Sequence, residues 1–116
     1  MPSITPKSLK HALEGRDASA LIGFYVDDAV IQIIDRDHTP SAPLELRGKD
    51  QIARYYEDVC GRAMTHKLES AVADDTHMAF SESCAYPDGT RVFCTAMLDL
   101  DHGKIRNQVT VQAWDA

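Results

Sequence analysis

Three ionisable residues stand within largely apolar stretches of this sequence: Asp35 closing "AVIQIID", His66 in "MTHKLESAV" and Glu82 in "HMAFSESCAY". A carboxylate withdrawn from water is costly unless paired, and burial raises its pKa. A histidine beside such a group is held in one tautomer and passes protons near neutral pH. The sharp expectation is an Asp35–His66 pair doing acid–base work on a small, mostly apolar molecule. Tyr55 or Tyr56 and Trp114 would supply walls or a hydroxyl donor, with Glu82, Cys84 and Tyr86 completing the lining.

Each of these residues also has a plainer explanation. Asp35 opens the polar run "DRDHTPS", so it equally reads as a strand end in solvent. His66 lies near the start of its strand and can bond a backbone carbonyl at a rim. A register error of one residue would turn Glu82 outward. Tyr55 and Tyr56 are adjacent, hence about 100° apart on a helix, so only one can be central to the core. Trp114 suits a core or an interface. Cys84 and Cys94 flank a turn and are packing thiols by default. Arg62 either meets a ligand carboxylate or answers a helix dipole, and the dipole is the simpler use. "DRDH" at 35–38 has no standard ligand spacing and reads as a solvated loop, so no metal is expected. There is no phosphate-binding glycine loop and no nucleophile elbow, and no cofactor is expected.

The elements that must position these groups are legible from periodicity. Thr5-Pro6 marks a helix start, with Leu9, Ala12 and Leu13 at helical spacing. Asp17 can cap a second helix in which Ala18, Leu21, Ile22 and Tyr25 form one stripe. Residues 29–34 are β-branched and short, and read as a strand. Residues 36–47 carry two prolines and read as a loop. Asp50 then caps a third helix, with Ile52, Tyr55, Tyr56, Val59 and Cys60 opposite Arg54, Glu57 and Asp58.

After Gly61 the pattern alternates. Residues 64–73, 77–86, 91–100 and 104–114 read as four long strands, joined at Asp74-Asp75, Pro87-Asp88-Gly89 and Asp101-His102-Gly103. Sequential hairpins imply an antiparallel meander. The fold class is α+β, three helices in one layer against a curved, mainly antiparallel sheet. Alternation groups Ile31, Ile33 and Asp35 on one face. It likewise groups His66, Leu68, Ser70 and Val72; Met78, Phe80, Glu82, Cys84 and Tyr86; and Val92, Cys94, Ala96, Leu98 and Leu100. The last strand leaves open whether Val109, Val111 and Ala113 or Gln108, Thr110, Gln112 and Trp114 face the core.

With 116 residues, 44% apolar and 26% charged, the chain suits one domain spanning 1–116. A net charge of −6 argues against a binder of the nucleic-acid backbone. No run of about 18 apolar residues suggests a membrane span, and the first residues lack a signal-peptide core. Three cysteines at no ligand spacing fit reduced thiols, and a cytoplasmic protein is expected.

"FYVDDAVI", "LRGKDQIARYYED" and "LDLDHGKIRNQVTVQAW", in that order, resemble the nuclear transport factor 2-like superfamily, and within it the SnoaL-like and ketosteroid-isomerase-like small proteins. The resemblance implies a cone-shaped barrel whose helices close the concave sheet face over a pocket, and whose outer face often pairs in a homodimer. It would put Ile33, Leu9 and Ala96 where ketosteroid isomerase has its base, its tyrosine and its second aspartate. All three are apolar, so that mechanism is not expected. What remains is a SnoaL-like domain with an apolar pocket: a cofactor-independent isomerase, cyclase or hydratase acting by acid–base catalysis on a small apolar molecule, or else a non-catalytic ligand-binding or dimeric interaction module.

Overall fold

The computed structural model describes residues 3–115. Helix α1, Pro6–Glu14, opens on a reciprocal cap: Thr5 Oγ1 accepts from Ser8 N–H at 3.0 Å, and Ser8 Oγ accepts from Thr5 N–H at 2.8 Å. Its stripe of Leu9, Ala12 and Leu13 is buried. Helix α2, Ala18–Gly23, is capped by Asp17, which accepts from Ala20 N–H. Strand β1 runs Tyr25–Ile34, four residues earlier than the apolar run suggests. Tyr25 therefore leaves the helical stripe, pairing with Ile105 across the sheet and sending its hydroxyl into the interior.

The 36–47 segment is not all loop. Leu44–Arg47 forms a short strand β2, antiparallel to β1. Helix α3 spans Gly48–Gly61 and begins before Asp50. Arg47 occupies the cap position, with its N–H held by Gln51 Oε1 at 2.8 Å, and Asp50 lies in the first turn, where a negative charge suits the helix dipole. Gly48 adopts φ +82°, a conformation that favours glycine.

The four remaining strands are β3 Thr65–Ala73, β4 His77–Ala85, β5 Arg91–Asp101 and β6 Lys104–Trp114. His102 and Gly103 both have positive φ, as a two-residue hairpin demands. Asp74 Oδ1 accepts from the N–H groups of Thr76 and His77 and so closes the β3–β4 turn. The sheet order is β2-β1-β6-β5-β4-β3, an antiparallel meander to which β1 adds in parallel beside β6.

The helices cover one face. Leu9, Leu21, Ile31, Ile52, Met78 and Leu98 form the centre of the core. On β6 the open question resolves: Gln108, Thr110, Gln112 and Trp114 pair with Leu98, Ala96, Cys94 and Val92 and share their inward face. Val109 and Val111 point outward. On β3 the alternation breaks. A bulge between Leu68 and Ser70 inserts one residue, so Ala71 and Ala73 oppose Phe80 and Met78. Ser70 and Val72 are consequently turned out, and Val72 is 69% exposed.

Candidate functional site

Cross-strand pairing assembles the site in two rows on the inward face. Leu68, Glu82, Cys94 and Gln112 stand opposite one another across β3, β4, β5 and β6. His66, Cys84, Val92 and Trp114 form the next row. His66 and Glu82 are thus diagonal neighbours, close enough for long side chains to meet.

They do meet. His66 Nδ1 is 3.4 Å from Glu82 Oε2 and 3.3 Å from Cys84 Sγ. The side chains are 5% and 13% exposed. The contact with Glu82 is at ion-pair distance but is not aligned as a hydrogen bond, and both Glu82 Oε2 and His66 Nε2 are buried without a hydrogen-bond partner among the described residues. Burial by itself pushes the His66 imidazole down; the neighbouring Cys84 thiol and Glu82 carboxylate outweigh it and hold His66 up at about 9. The Cys94 thiol and burial push the Cys84 thiol up, so it is protonated and a poor nucleophile. The donor atoms of His66, Glu82 and Cys84 lie within 4.8 Å of one another, which makes them the group among the described residues that could hold a metal ion.

A second polar cluster lies deeper. Tyr25 OH donates to Gln108 Oε1 at 2.5 Å, and Gln108 Nε2 donates to Thr110 Oγ1 at 2.8 Å. Tyr25 has then spent its proton, so the 2.7 Å bond to Tyr56 is donated by Tyr56. Burial pushes the phenols of Tyr25, Tyr55 and Tyr56 well above the usual range. Trp114 Nε1 donates to Gln112 Oε1 at 3.0 Å, and Gln112 Nε2 reaches Tyr55 OH at 3.5 Å. Both tyrosines of α3 therefore enter the interior, where only one was expected. Their rings meet edge-on with centroids 5.3 Å apart, which lets two adjacent residues share the space.

Two hollows with shared walls adjoin these groups. The inner one, about 60 Å³, is lined by Tyr25, Tyr55, Tyr56, His66, Glu82 and Gln108 among apolar neighbours. The outer one, about 400 Å³, shares His66, Glu82, Tyr55, Cys94 and Gln112 and opens past Asp35, Arg36, Arg62, Tyr86 and Trp114. At its mouth Tyr86 stacks on Trp114 at 5.9 Å, and the Arg36 guanidinium lies 4.4 Å from the Trp114 ring centre. Arg62 donates to Tyr86 OH at 2.9 Å and pairs with Asp58 at 2.6 Å, so its charge is answered within the chain.

Asp35 is at the mouth and is not paired with His66. It follows the end of β1 and accepts from Asp37 N–H at 2.9 Å and His38 Nδ1 at 2.8 Å. Burial pulls its carboxyl up, but the His38 hydrogen bond and the backbone N–H groups win and hold it below the usual range. The strand order explains the change of partner. β1 and β3 are separated by β6, β5 and β4, whereas β3 and β4 are neighbours. The sequence alone places Tyr25 in a helical stripe, and Gln108, Thr110 and Gln112 only on one of two possible inward faces of the last strand. The alternation Gln108-Thr110-Gln112-Trp114 was their signal, and it became readable only once the face of β6 was fixed.

A profile of the SnoaL-like domain matches residues 8–108. No curated protein matches the sequence. Among solved structures, the chain is similar to a putative ketosteroid isomerase from Kribbella flavida, with 14% identity and a TM-score of 0.76 over 95% of this chain and 75% of that one. An NTF2-like protein of unknown function from Mesorhizobium loti gives 15% identity and 0.75 over 97% of each chain. A phenazine biosynthesis-related protein from Pseudomonas aeruginosa gives 15% and 0.66 over 92% and 77%. At such identities these likenesses speak to fold, and neighbours include both NTF2-like and cystatin-like proteins. With the profile spanning most of its length and the fold in agreement, this chain belongs to the SnoaL-like domain family.

Proposed function

We propose that the two hollows take up a small, mostly apolar organic molecule and that the His66–Glu82 pair acts on it by acid–base catalysis, as in a cofactor-independent isomerase, cyclase or hydratase. The observation that carries this reading is the buried pair itself, at 3.4 Å, with His66 Nε2 left unpartnered. A buried ion pair is weak as a stabilising device, so its retention on an apolar face points to use. At neutral pH His66 is an imidazolium neutralised by Glu82. The proton on Nε2 has no protein acceptor and is available to a ligand. Tyr56 presents its oxygen beside the same space, and Asp35 is a second carboxylate at the entrance. Tyr86, Cys84 and Trp114 form the apolar and aromatic rim. The 400 Å³ of the outer hollow suits a ligand of modest size, within the roughly 300–1,000 Å³ typical of such sites.

Proton exchange tests this without knowledge of the natural substrate. Small cyclic ketones incubated with the protein in D2O are followed by NMR for loss of the protons next to the carbonyl. The wild type is expected to accelerate exchange, and His66→Ala to lower the catalysed rate about 10²–10⁴-fold. Equal rates for the two proteins would remove His66 from the chemistry.

The outer sheet face supports a second copy as partner. Phe93, Met97, Val109 and Val111 are 41–60% exposed and adjoin one another by register. Such an apolar group on a sheet face marks an interaction surface. Met97→Glu is expected to shift a homodimer toward monomer in sedimentation velocity, with no change in the exchange rate per chain.

A further inference from the structure

We propose that His66, Glu82 and Cys84 together form a binding site for a single zinc ion, with the fourth coordination position open to the hollow. Zinc takes imidazole nitrogen, carboxylate oxygen and thiolate sulfur, the three donor types gathered here. The spacing fits. Donors placed at about 2.0–2.3 Å from a tetrahedral zinc stand about 3.3–3.8 Å from one another. His66 Nδ1 is 3.3 Å from Cys84 Sγ and 3.4 Å from Glu82 Oε2, and all three donors lie within 4.8 Å of one another.

The polar accounting points the same way. Glu82 Oε2 is buried with no hydrogen bond, although it faces a histidine whose side chain is 95% withdrawn from solvent. A lone pair left idle in such a place is unusual in a folded protein. An ion seated among the three donors would use that lone pair together with those of Nδ1 and Sγ. Backbone pairing holds the donors rigidly: His66 is directly opposite Cys84, and Glu82 is two residues along the same strand and face. The chain therefore presents its ligands from two adjacent strands without any loop having to close.

Binding replaces protons with the ion. The Cys84 S–H proton, and any proton on His66 Nδ1, leave to solvent as the Zn–S and Zn–N bonds form; no oxidation or reduction is involved. The inference does not rest on the acid–base reading. The two uses exclude one another in time: the imidazolium of that reading carries a proton on both ring nitrogens, and with zinc on Nδ1 the remaining Nε2–H belongs to a neutral ring and is a far weaker acid. The loaded protein would be the silenced form of that chemistry.

Cobalt(II) is the probe, since it occupies zinc sites and reports thiolate and tetrahedral coordination by absorption. Titrating reduced, chelator-treated protein with Co²⁺ is expected to give a near-ultraviolet sulfur-to-metal band and visible tetrahedral bands, saturating at one equivalent and abolished by one equivalent of Zn²⁺. Cys84→Ser should remove the near-ultraviolet band. Glu82→Gln, almost the same shape, should weaken binding by at least about tenfold, the low end of what loss of an outer-shell partner costs. Cys60→Ser, on α3, should change nothing. Circular dichroism confirms that each variant is folded. Absence of the bands in the wild type, their persistence in Cys84→Ser, or their loss in Cys60→Ser would overturn the site. No substrate enters the measurement, so it can fail while the ketone exchange succeeds, and the reverse.

Discussion

The two ends of the interior are built from the same strands yet differ in kind. Along β4 the inward series runs Met78, Phe80, Glu82, Cys84. At the Met78 end it meets Leu98, Ile31 and Ile52, which are at most 1% exposed. At the Cys84 end it meets Val92, Cys94 and Met64, around a histidine and a carboxylate with idle polar atoms. One end packs apolar side chains around the hydrogen-bonded Tyr25–Gln108–Thr110 cluster and borders only the small inner hollow, and the other borders the larger outer hollow with His66 and Glu82. Alternation decides which way a side chain points. Its distance along the strand decides whether it packs in the core or borders the outer hollow.

This contrast can be broken from either end. The largest effect is expected at the charged end. Glu82→Leu leaves the His66 imidazolium buried and uncompensated, and should cost about 3–5 kcal/mol in urea unfolding at pH 7. If it costs less than 1 kcal/mol, the pair is not electrostatically isolated. At the packed end, Leu98→Ala should cost about 2–5 kcal/mol with no specific loss of exchange activity in the folded fraction. A variant that is stable but inactive would mean that the two ends are not separate.

The smallest effect is expected at the mouth. Asp35 has a depressed carboxyl pKa in the folded state. Its contribution is therefore present above the unfolded value of about 3.9 and is lost as pH falls through the folded value. Asp35→Asn should destabilise by about 1 kcal/mol at pH 7. The difference between the two proteins should vanish in strong acid. A gap that stays constant down to low pH would mean that the carboxylate charge contributes nothing.

Much of this design was legible before any coordinates. The four long strands follow from alternation and from turn residues such as Asp101-His102-Gly103, whose local chemistry acts on neighbouring residues. What was illegible depends on distant partners. Four residues, Leu44–Arg47, become a strand only because β1 offers an edge. One inserted residue after Leu68 reverses the face of Ser70 and Val72, and no composition rule marks it. Of the candidate site, His66 and Glu82 stood out by their type among apolar neighbours, but the structure sets His66 beside Glu82 and not beside Asp35. That choice needed the order of strands in the sheet. Asp35, read either as half of a catalytic pair or as a strand end in solvent, instead bonds Asp37 and His38 within its own loop, and such local bonds are within reach of the sequence run "DRDH".

On the function proposed above, the His66–Glu82 pair serves chemistry at no gain in stability. The most direct test is the ketone exchange rate of the double variant His66→Leu/Glu82→Leu. Replacing both charges with apolar groups is often neutral or stabilising by about 1–4 kcal/mol, so a folded protein is expected. Exchange at the uncatalysed rate is expected from this folded, equally or more stable chain. Exchange at the wild-type rate would contradict the proposed function.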